Sequence, residues 1–114
     1  MNGFRIGLPD RLFPLQAFLN IWPDSEYLPM LRRTSAGIES VSNGVGWSWW
    51  KGEDECPPAK GQLLFYVAQD EVSLSVAEAL NHFRTATENW LMQQPSLREE
   101  AHGLLMGIER LFSE

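Results

Sequence analysis

The residues that decide the fold are 38–52, IESVSNGVGWSWWKG. Two runs at 38–42 and 45–51 flank Asn43-Gly44, the dipeptide best suited to a two-residue type I′ turn because both positions tolerate positive φ. The stretch therefore predicts a β-hairpin. It places an antiparallel sheet in the middle of the chain.

The second strand of this predicted hairpin carries three tryptophans. Strand alternation places Trp47 and Trp49 on one face and Trp50 on the other, so the three indoles cannot share one core face. We expect Trp47 and Trp49 to pack beneath helices, because a tryptophan buries a large apolar area. Trp50 either covers the opposite side of the sheet or stays exposed as an aromatic anchor.

The N-terminal third is predicted to hold a short strand and two helices. Apolar residues alternate with glycine and arginine at 4–8, which has the period of a half-buried strand. Asp10 is a candidate cap for a helix over 11–21, and Asp24 is a candidate cap for a second helix over 25–34.

The segment after the hairpin predicts more of the sheet. Residues 52–61, with their charges and a proline pair, indicate a loop, and 63–68 is a strand apolar on both faces, as in the centre of a sheet. A turn at 69–71 and a brief strand at 72–74 follow.

Two S-x-x-E patterns, beginning at Ser75 and Ser96, predict capping boxes that open two C-terminal helices. Apolar residues recur at helical spacing over 76–94 and again from Leu97 onward, with Pro95 between them. The chain is therefore predicted to end in an antiparallel helical hairpin.

These elements predict a single α+β domain over 1–114. Its architecture is a small, mainly antiparallel sheet of three to four strands packed against helices, with a C-terminal helical hairpin. The length of 114 residues and the hydrophobic fraction of 44% are enough for a packed core, which excludes a disordered chain.

The net charge of the chain limits the classes of molecule that it is expected to bind. A formal net charge of −6 with only 9 Lys and Arg argues against nucleic-acid binding and favours a basic partner. No apolar run matches a signal-peptide core or a membrane span. With a single cysteine, Cys56, the sequence fits a reducing compartment, and we expect a cytoplasmic protein that does not contact membranes.

The sequence lacks the motifs of catalysis. His82 and His102 fall on separate predicted helices and Cys56 is alone, so no metal-ligand spacing is present. No nucleophile motif and no phosphate-binding glycine loop occur, and we expect neither catalytic residues, nor a metal, nor a cofactor. A small enzyme that uses a carboxylate in a pocket remains an alternative.

Binding needs only a shaped and charged surface, and two acidic groups could supply it. The first follows Trp50 in the predicted loop and the second falls in the turn after the strand at 63–68, at the opposite end of that strand. The candidate contact residues are Trp50, Glu53, Asp54, Glu55, Asp70 and Glu71.

Three stretches resemble the small immunity proteins of bacterial contact-dependent growth inhibition and related polymorphic toxin systems. They are the hairpin ending in VGWSWWKG, the strand QLLFYVA and the run VSLSVAEALNHFRTATENWLMQQPSLREE. The likeness covers the C-terminal two-thirds of the chain. It lies in the layout of elements and assigns no role to an individual residue.

This resemblance implies a cytoplasmic, non-enzymatic protein that binds a cognate toxin domain and blocks its active site or its access to substrate. The implied partner is a basic nuclease, an RNase or a DNase. The alternative function is an intracellular adaptor or chaperone-like module that binds a helix or peptide through an exposed aromatic face.

Overall fold

The computed structural model describes residues 5–49 and 61–112, which form an α+β fold. A four-stranded, fully antiparallel sheet has the strand order β1-β2-β3-β4, and the predicted fold class is confirmed. In chain order the elements are a 3₁₀ turn at Asp10–Leu12, α1 (Phe13–Ile21), α2 (Asp24–Ser35), β1 (Val41–Ser42), β2 (Val45–Trp49), β3 (Gln62–Val67), β4 (Asp70–Ser75), α3 (Val76–Leu91), a 3₁₀ turn at Pro95–Leu97 and α4 (Arg98–Phe112).

The first hairpin forms as predicted around Asn43-Gly44. These residues have φ of 53° and 79°, the positive values that a type I′ turn requires. The strand β1 is only two residues long, shorter than the predicted 38–42. The reason is that the side chain of Glu39 accepts hydrogen bonds from Ser48 Oγ and Trp49 N, in place of main-chain pairing at that position.

The second hairpin differs from the prediction in the position of its turn. The connection between β3 and β4 is Ala68-Gln69, not 69–71, and β4 begins at Asp70. Asp70 and Glu71 are therefore strand residues rather than turn residues. The turn escapes prediction because Ala68 adopts a φ of 51° without being a glycine or an asparagine.

One face of the sheet forms the core. Trp47 pairs with Phe65 across β2 and β3, and both side chains are fully buried. Phe18 of α1 and Phe83 of α3 pack on Phe65, with ring centroids 5.6 and 6.1 Å away. The two helices therefore cover this face.

Trp47 and Trp49 pack beneath a helix, as predicted. Both indoles meet the ring of Phe112 in α4 edge-on, at centroid distances of 5.7 and 5.2 Å. Trp47 is fully buried, whereas Trp49 is half-buried and donates its Nε1 hydrogen to Gly37 O. The face assignment made from strand alternation is confirmed for these two residues.

The predicted strand at 4–8 is wrong for residues 5–8, which form no strand in the structure. Side chains of α1 hold this segment instead of a neighbouring strand. Asn20 Oδ1 accepts hydrogen bonds from the main-chain N–H groups of Arg5 and Ile6, and Gln16 Oε1 accepts one from Leu8. These hydrogen bonds satisfy main-chain N–H groups of a segment that lies outside the sheet.

The predicted caps at Asp10 and Asp24 are also wrong. Asp10 lies in a 3₁₀ turn before α1, and α1 begins at Phe13 without a side-chain cap. Asp24 is the first residue of α2 rather than its N-cap, and its carboxylate pairs with Arg5.

The C-terminal helical hairpin is confirmed. Ser75 caps α3 by accepting a hydrogen bond from Glu78 N at 3.1 Å. The antiparallel helices α3 and α4 are joined by the ion pairs Glu88–Arg98 and Arg84–Glu109. The second predicted cap is wrong, because Ser96 lies inside the 3₁₀ turn that precedes α4.

Candidate protein-binding site

Only two of the predicted contact residues can be placed. Trp50, Glu53, Asp54 and Glu55 lie outside the described residues. Asp70 and Glu71 are the first two residues of β4 and are exposed. They pair with Val67 and Tyr66.

Asp70 and Glu71 point to opposite faces of the sheet at the same end of β4, because successive side chains of a strand alternate. Asp70 lies on the side of Val67 and Phe65, beyond the packed core. Glu71 lies on the outer side, next to its cross-strand partner Tyr66. The pair therefore surrounds the strand end with negative charge on both faces.

Tyr66, the cross-strand partner of Glu71, is not among the residues that the sequence predicted for this surface. Its ring lies on the backbone of Gly46, because a Cβ added to Gly46 would come within 2.6 Å of Tyr66 Oη and 2.9 Å of Val41 Cγ2. The signal that could have found it is the glycine inside a strand, which marks a close approach of another group. Tyr66 and the 59%-exposed Val41 thus form an apolar patch on the outer face.

The carboxylates of Asp70 and Glu71 have no counter-charge in the described parts of the chain, where no cation lies within 4.0 Å of either. Most described arginines are already paired. Their ion pairs are Arg5–Asp24, Arg11–Glu78, Arg32–Glu100, Arg84–Glu109 and Arg98–Glu88. The fold uses these positive charges internally and leaves the negative charge at the start of β4 without an ion pair among the described residues.

Three other exposed carboxylates, Asp10, Glu26 and Glu99, likewise have no ion pair with a described residue. Each stands in a separate helix or 3₁₀ turn. Only at the start of β4 do two such carboxylates adjoin in sequence and share an end of the sheet. This is the most concentrated uncompensated charge that the structure describes.

A second charged cluster, around Arg5, serves the fold. The guanidinium of Arg5 donates to Leu19 O at 3.0 Å and to Trp22 O at 2.6 Å, two carbonyls at the end of α1. It also pairs with Asp24 at 3.0 Å and lies 4.4 Å from the ring centroid of Tyr27. Burial lowers the pKa of Arg5, while Tyr27 and Asp24 favour its charged form.

A groove of about 340 Å³ between α3 and α4 is lined in part by ionisable groups. Glu88 lies at its rim and binds both Arg98, at 2.8 Å, and His102, at 2.6 Å. The hydrogen bonds from Arg98 and His102 lower the pKa of Glu88. These side chains neutralise one another and link the two helices.

A wider groove of about 600 Å³ lies between the start of α2 and the end of α3. Its floor includes Trp90, whose Nε1 donates to Asp24 O. At its margin Arg32 forms an ion pair with Glu100. Here too the polar groups named are engaged within the fold.

Within residues 5–49 and 61–112, no three His, Cys, Asp or Glu side chains are grouped so that they could hold a metal ion. Among the same residues, no helix combines the length and the apolar character needed to cross a bilayer.

Comparison with known proteins adds no family assignment. No protein-family model matches the chain, and no curated protein sequence matches it significantly. Any function must therefore be argued from the geometry.

Proposed function

We propose that this chain is a toxin-neutralising immunity protein that binds a basic toxin domain, an RNase or a DNase, without catalysing a reaction. The observation that carries the proposal is the adjoining, exposed pair Asp70 and Glu71, which has no counter-charge in the described structure. The net charge of −6 acts in the same direction at longer range.

The proposed mechanism is occlusion of the nucleic-acid site. A nuclease holds the phosphates of its substrate with Lys and Arg, so its substrate-binding surface is positively charged. The carboxylates at the start of β4 bind the same cations and exclude the substrate. Tyr66 offers apolar contact beside Glu71, and its ring extends over Gly46 towards Val41. Tyrosine is enriched among the residues that contribute most to interfaces.

The first experiment tests complex formation. The wild-type chain is mixed with the toxin-like domain encoded beside its gene, and the mixture is analysed by gel filtration and by a nuclease assay. We expect a stable complex in which nuclease activity is lost. Two separately eluting proteins, with nuclease activity unchanged, would refute the proposed function.

The second part of the test asks whether the carboxylates of Asp70 and Glu71 contribute to association with the toxin domain. We expect the double variant Asp70→Asn, Glu71→Gln to associate with the toxin domain roughly tenfold more slowly at low salt. Because salt screens exposed charges, the difference should shrink as ionic strength rises. Association rates are measured by stopped-flow fluorescence.

A matched control carries the same change in net charge elsewhere. The double variant Glu26→Gln, Glu99→Gln removes two exposed carboxylates from α2 and α4 and should slow association much less. Equal slowing by both double variants would mean that only net charge matters, and the start of β4 would lose its assignment as the binding site.

A further inference from the structure

The strand β4 is the long edge strand of the described sheet. Within residues 5–49 and 61–112 it pairs only with β3, over six consecutive residue pairs that run without a bulge from Gln62–Ser75 to Val67–Asp70. The other edge strand, β1, has only two residues. Natural sheets block their edges with short strands, charged side chains, proline or bulges. The strand β4 has no lysine, proline or bulge, and its only charged residues, Asp70 and Glu71, lie at its N-terminal end.

The hydrogen bonds of the sheet show which groups of β4 face the free edge. Val76 N donates to Gly61 O at 3.2 Å, immediately beyond the last strand pair. In an antiparallel ladder the hydrogen-bonded pairs recur every second residue. The pairs Leu63–Leu74 and Phe65–Val72 are therefore bonded pairs as well.

The hydrogen bonds between β3 and β2 lead independently to the same assignment of the outward groups of β4. Ala68 N donates to Gly44 O at 3.2 Å, which makes the even-numbered residues of β3 the partners of β2. Its odd-numbered residues are then left to bond with β4. It follows that Glu71 and Ser73 of β4 direct their N–H and C=O groups away from β3.

These outward groups bond to nothing in the described parts of the chain. Glu71 and Ser73 have exposed side chains, and no described residue hydrogen-bonds with their main-chain atoms. A row of main-chain donors and acceptors on an open edge is a template for one more strand. The carboxylates of Asp70 and Glu71, which have no ion pair with a described residue, lie at the N-terminal end of this edge.

We infer that β4 accepts an extended segment of the basic partner as a fifth strand, with Lys or Arg side chains placed against Asp70 and Glu71. This inference rests on the proposed function and specifies its mode of contact. Main-chain hydrogen bonds supply the affinity and the two carboxylates supply the preference for a basic strand. Because they point to opposite faces, the added strand needs basic residues at two successive positions there.

A second copy of this chain is a poorer occupant of the edge. Each copy carries a net charge of −6 and the same two uncompensated carboxylates on β4, so pairing of two edges is opposed by repulsion. A basic strand gains attraction at the same place. Charge therefore favours a basic strand over a second copy of this chain as the occupant of the β4 edge.

The test compares Ser73→Pro with Ser73→Ala in binding to the toxin domain. Proline removes the outward N–H of residue 73 and leaves the bonds to β3 in place, whereas alanine changes the side chain and keeps the N–H. We expect the dissociation constant of the proline variant to be roughly tenfold or more above that of the alanine variant. Circular dichroism checks that both are folded.

Amide hydrogen exchange on the wild-type chain gives a second readout that does not depend on a variant. In the free protein, the amides of Val72 and Leu74 should exchange slowly and those of Glu71 and Ser73 fast. In the complex, Glu71 and Ser73 should become protected to a similar extent. Unchanged exchange at these two residues in a formed complex would overturn the inference.

The outcomes separate the two proposals. If the wild-type chain does not bind the toxin domain, both are refuted. If it binds, and the two Ser73 variants bind equally well, strand addition alone is refuted and the proposed function stands. Protection of Glu71 and Ser73 that grows with the concentration of the chain alone would identify a second copy as the occupant and overturn the assignment to a basic strand.

Discussion

Two charged regions of the molecule, the cluster around Arg5 and the start of β4, differ in what their charges contact. Arg5 is only 3% exposed and is bonded to two helix carbonyls and to Asp24. Asp70 and Glu71 are exposed and have no counter-charge among the described residues. The first region uses its charges to close the fold, and the second leaves them to solvent.

The difference teaches how to separate structural charge from binding charge in a protein without a catalytic motif. A charge that contributes to the fold is buried among its partners. Removing it leaves those partners buried without compensation for their lost hydration, which lowers stability. A charge available for binding has no such partner and can be removed without loss of stability. Variants of each region can therefore test this distinction.

The largest expected effect is on the Arg5 cluster. Replacing Arg5 with methionine keeps most of the apolar stem but leaves Asp24, Leu19 O and Trp22 O without their donor. We expect the free energy of unfolding to fall by about 3–5 kcal/mol, as when one partner of a buried ion pair is removed. Urea denaturation measures the change.

The control for this prediction is Arg11→Met. Arg11 is exposed and approaches Glu78 only at 4.0 Å, so its loss should change the unfolding free energy by less than about 0.5 kcal/mol. Comparable losses for Arg5 and Arg11 would show that the cluster around Arg5 is not a structural centre.

A smaller effect concerns Tyr27, which lies beneath Arg5. Burial raises the pKa of Tyr27 to about 12, whereas an unfolded tyrosine titrates near 10. The stabilisation is therefore complete below pH 10 and is lost as the pH rises through 12. We expect roughly 2 kcal/mol of unfolding free energy to disappear between pH 9 and 12.

The variant Tyr27→Phe isolates this titration. It lacks the ionisable hydroxyl and also the hydrogen bond to Thr87 Oγ1, so it should be less stable than the wild type by about 1 kcal/mol near pH 8. The gap between the two unfolding free energies should close and then reverse as the pH approaches 12. Parallel curves over this range would contradict the prediction.

Much of the fold could be predicted because its signals are local. Asn43-Gly44 specifies a turn by its tolerance of positive φ, and Ser75 with Glu78 specifies a helix start. The Arg5 cluster could not be predicted, because its contacts join residues 14 to 19 positions apart across a chain reversal. The false cap at Asp24 has the same origin, since a capping residue type does not reveal a competing long-range partner. Asp10 instead begins the 3₁₀ turn that precedes α1.

The candidate site was predicted in part for a similar reason. The acidic residues Asp70 and Glu71 could be named from charge alone, but their place in β4 depended on the turn before them. Tyr66 was missed because its importance comes from packing on Gly46 in another strand. Which main-chain groups remain free at the edge follows only from the hydrogen-bond pattern of the whole sheet.

The smallest expected effect is at Ala68, in the turn that the sequence did not reveal. A β-carbon at a φ of 51° is unfavourable, and glycine relieves it, although glycine also loses more entropy on folding. We expect Ala68→Gly to raise the free energy of unfolding by about 0.5–1 kcal/mol. The reciprocal change Gly44→Ala, at a φ of 79° with no atom within 4 Å of the added Cβ, should lower it by about 1 kcal/mol. Thermal and urea denaturation should thus give changes in unfolding free energy of opposite sign for the variants of the two hairpins.

Association of the Ala68→Gly variant with the toxin domain should stay unchanged, because Ala68 contributes no charge and lies outside β4. Destabilisation by Ala68→Gly would mean that residue 68 does not occupy the left-handed position, and the start of β4 at Asp70 would then be misplaced.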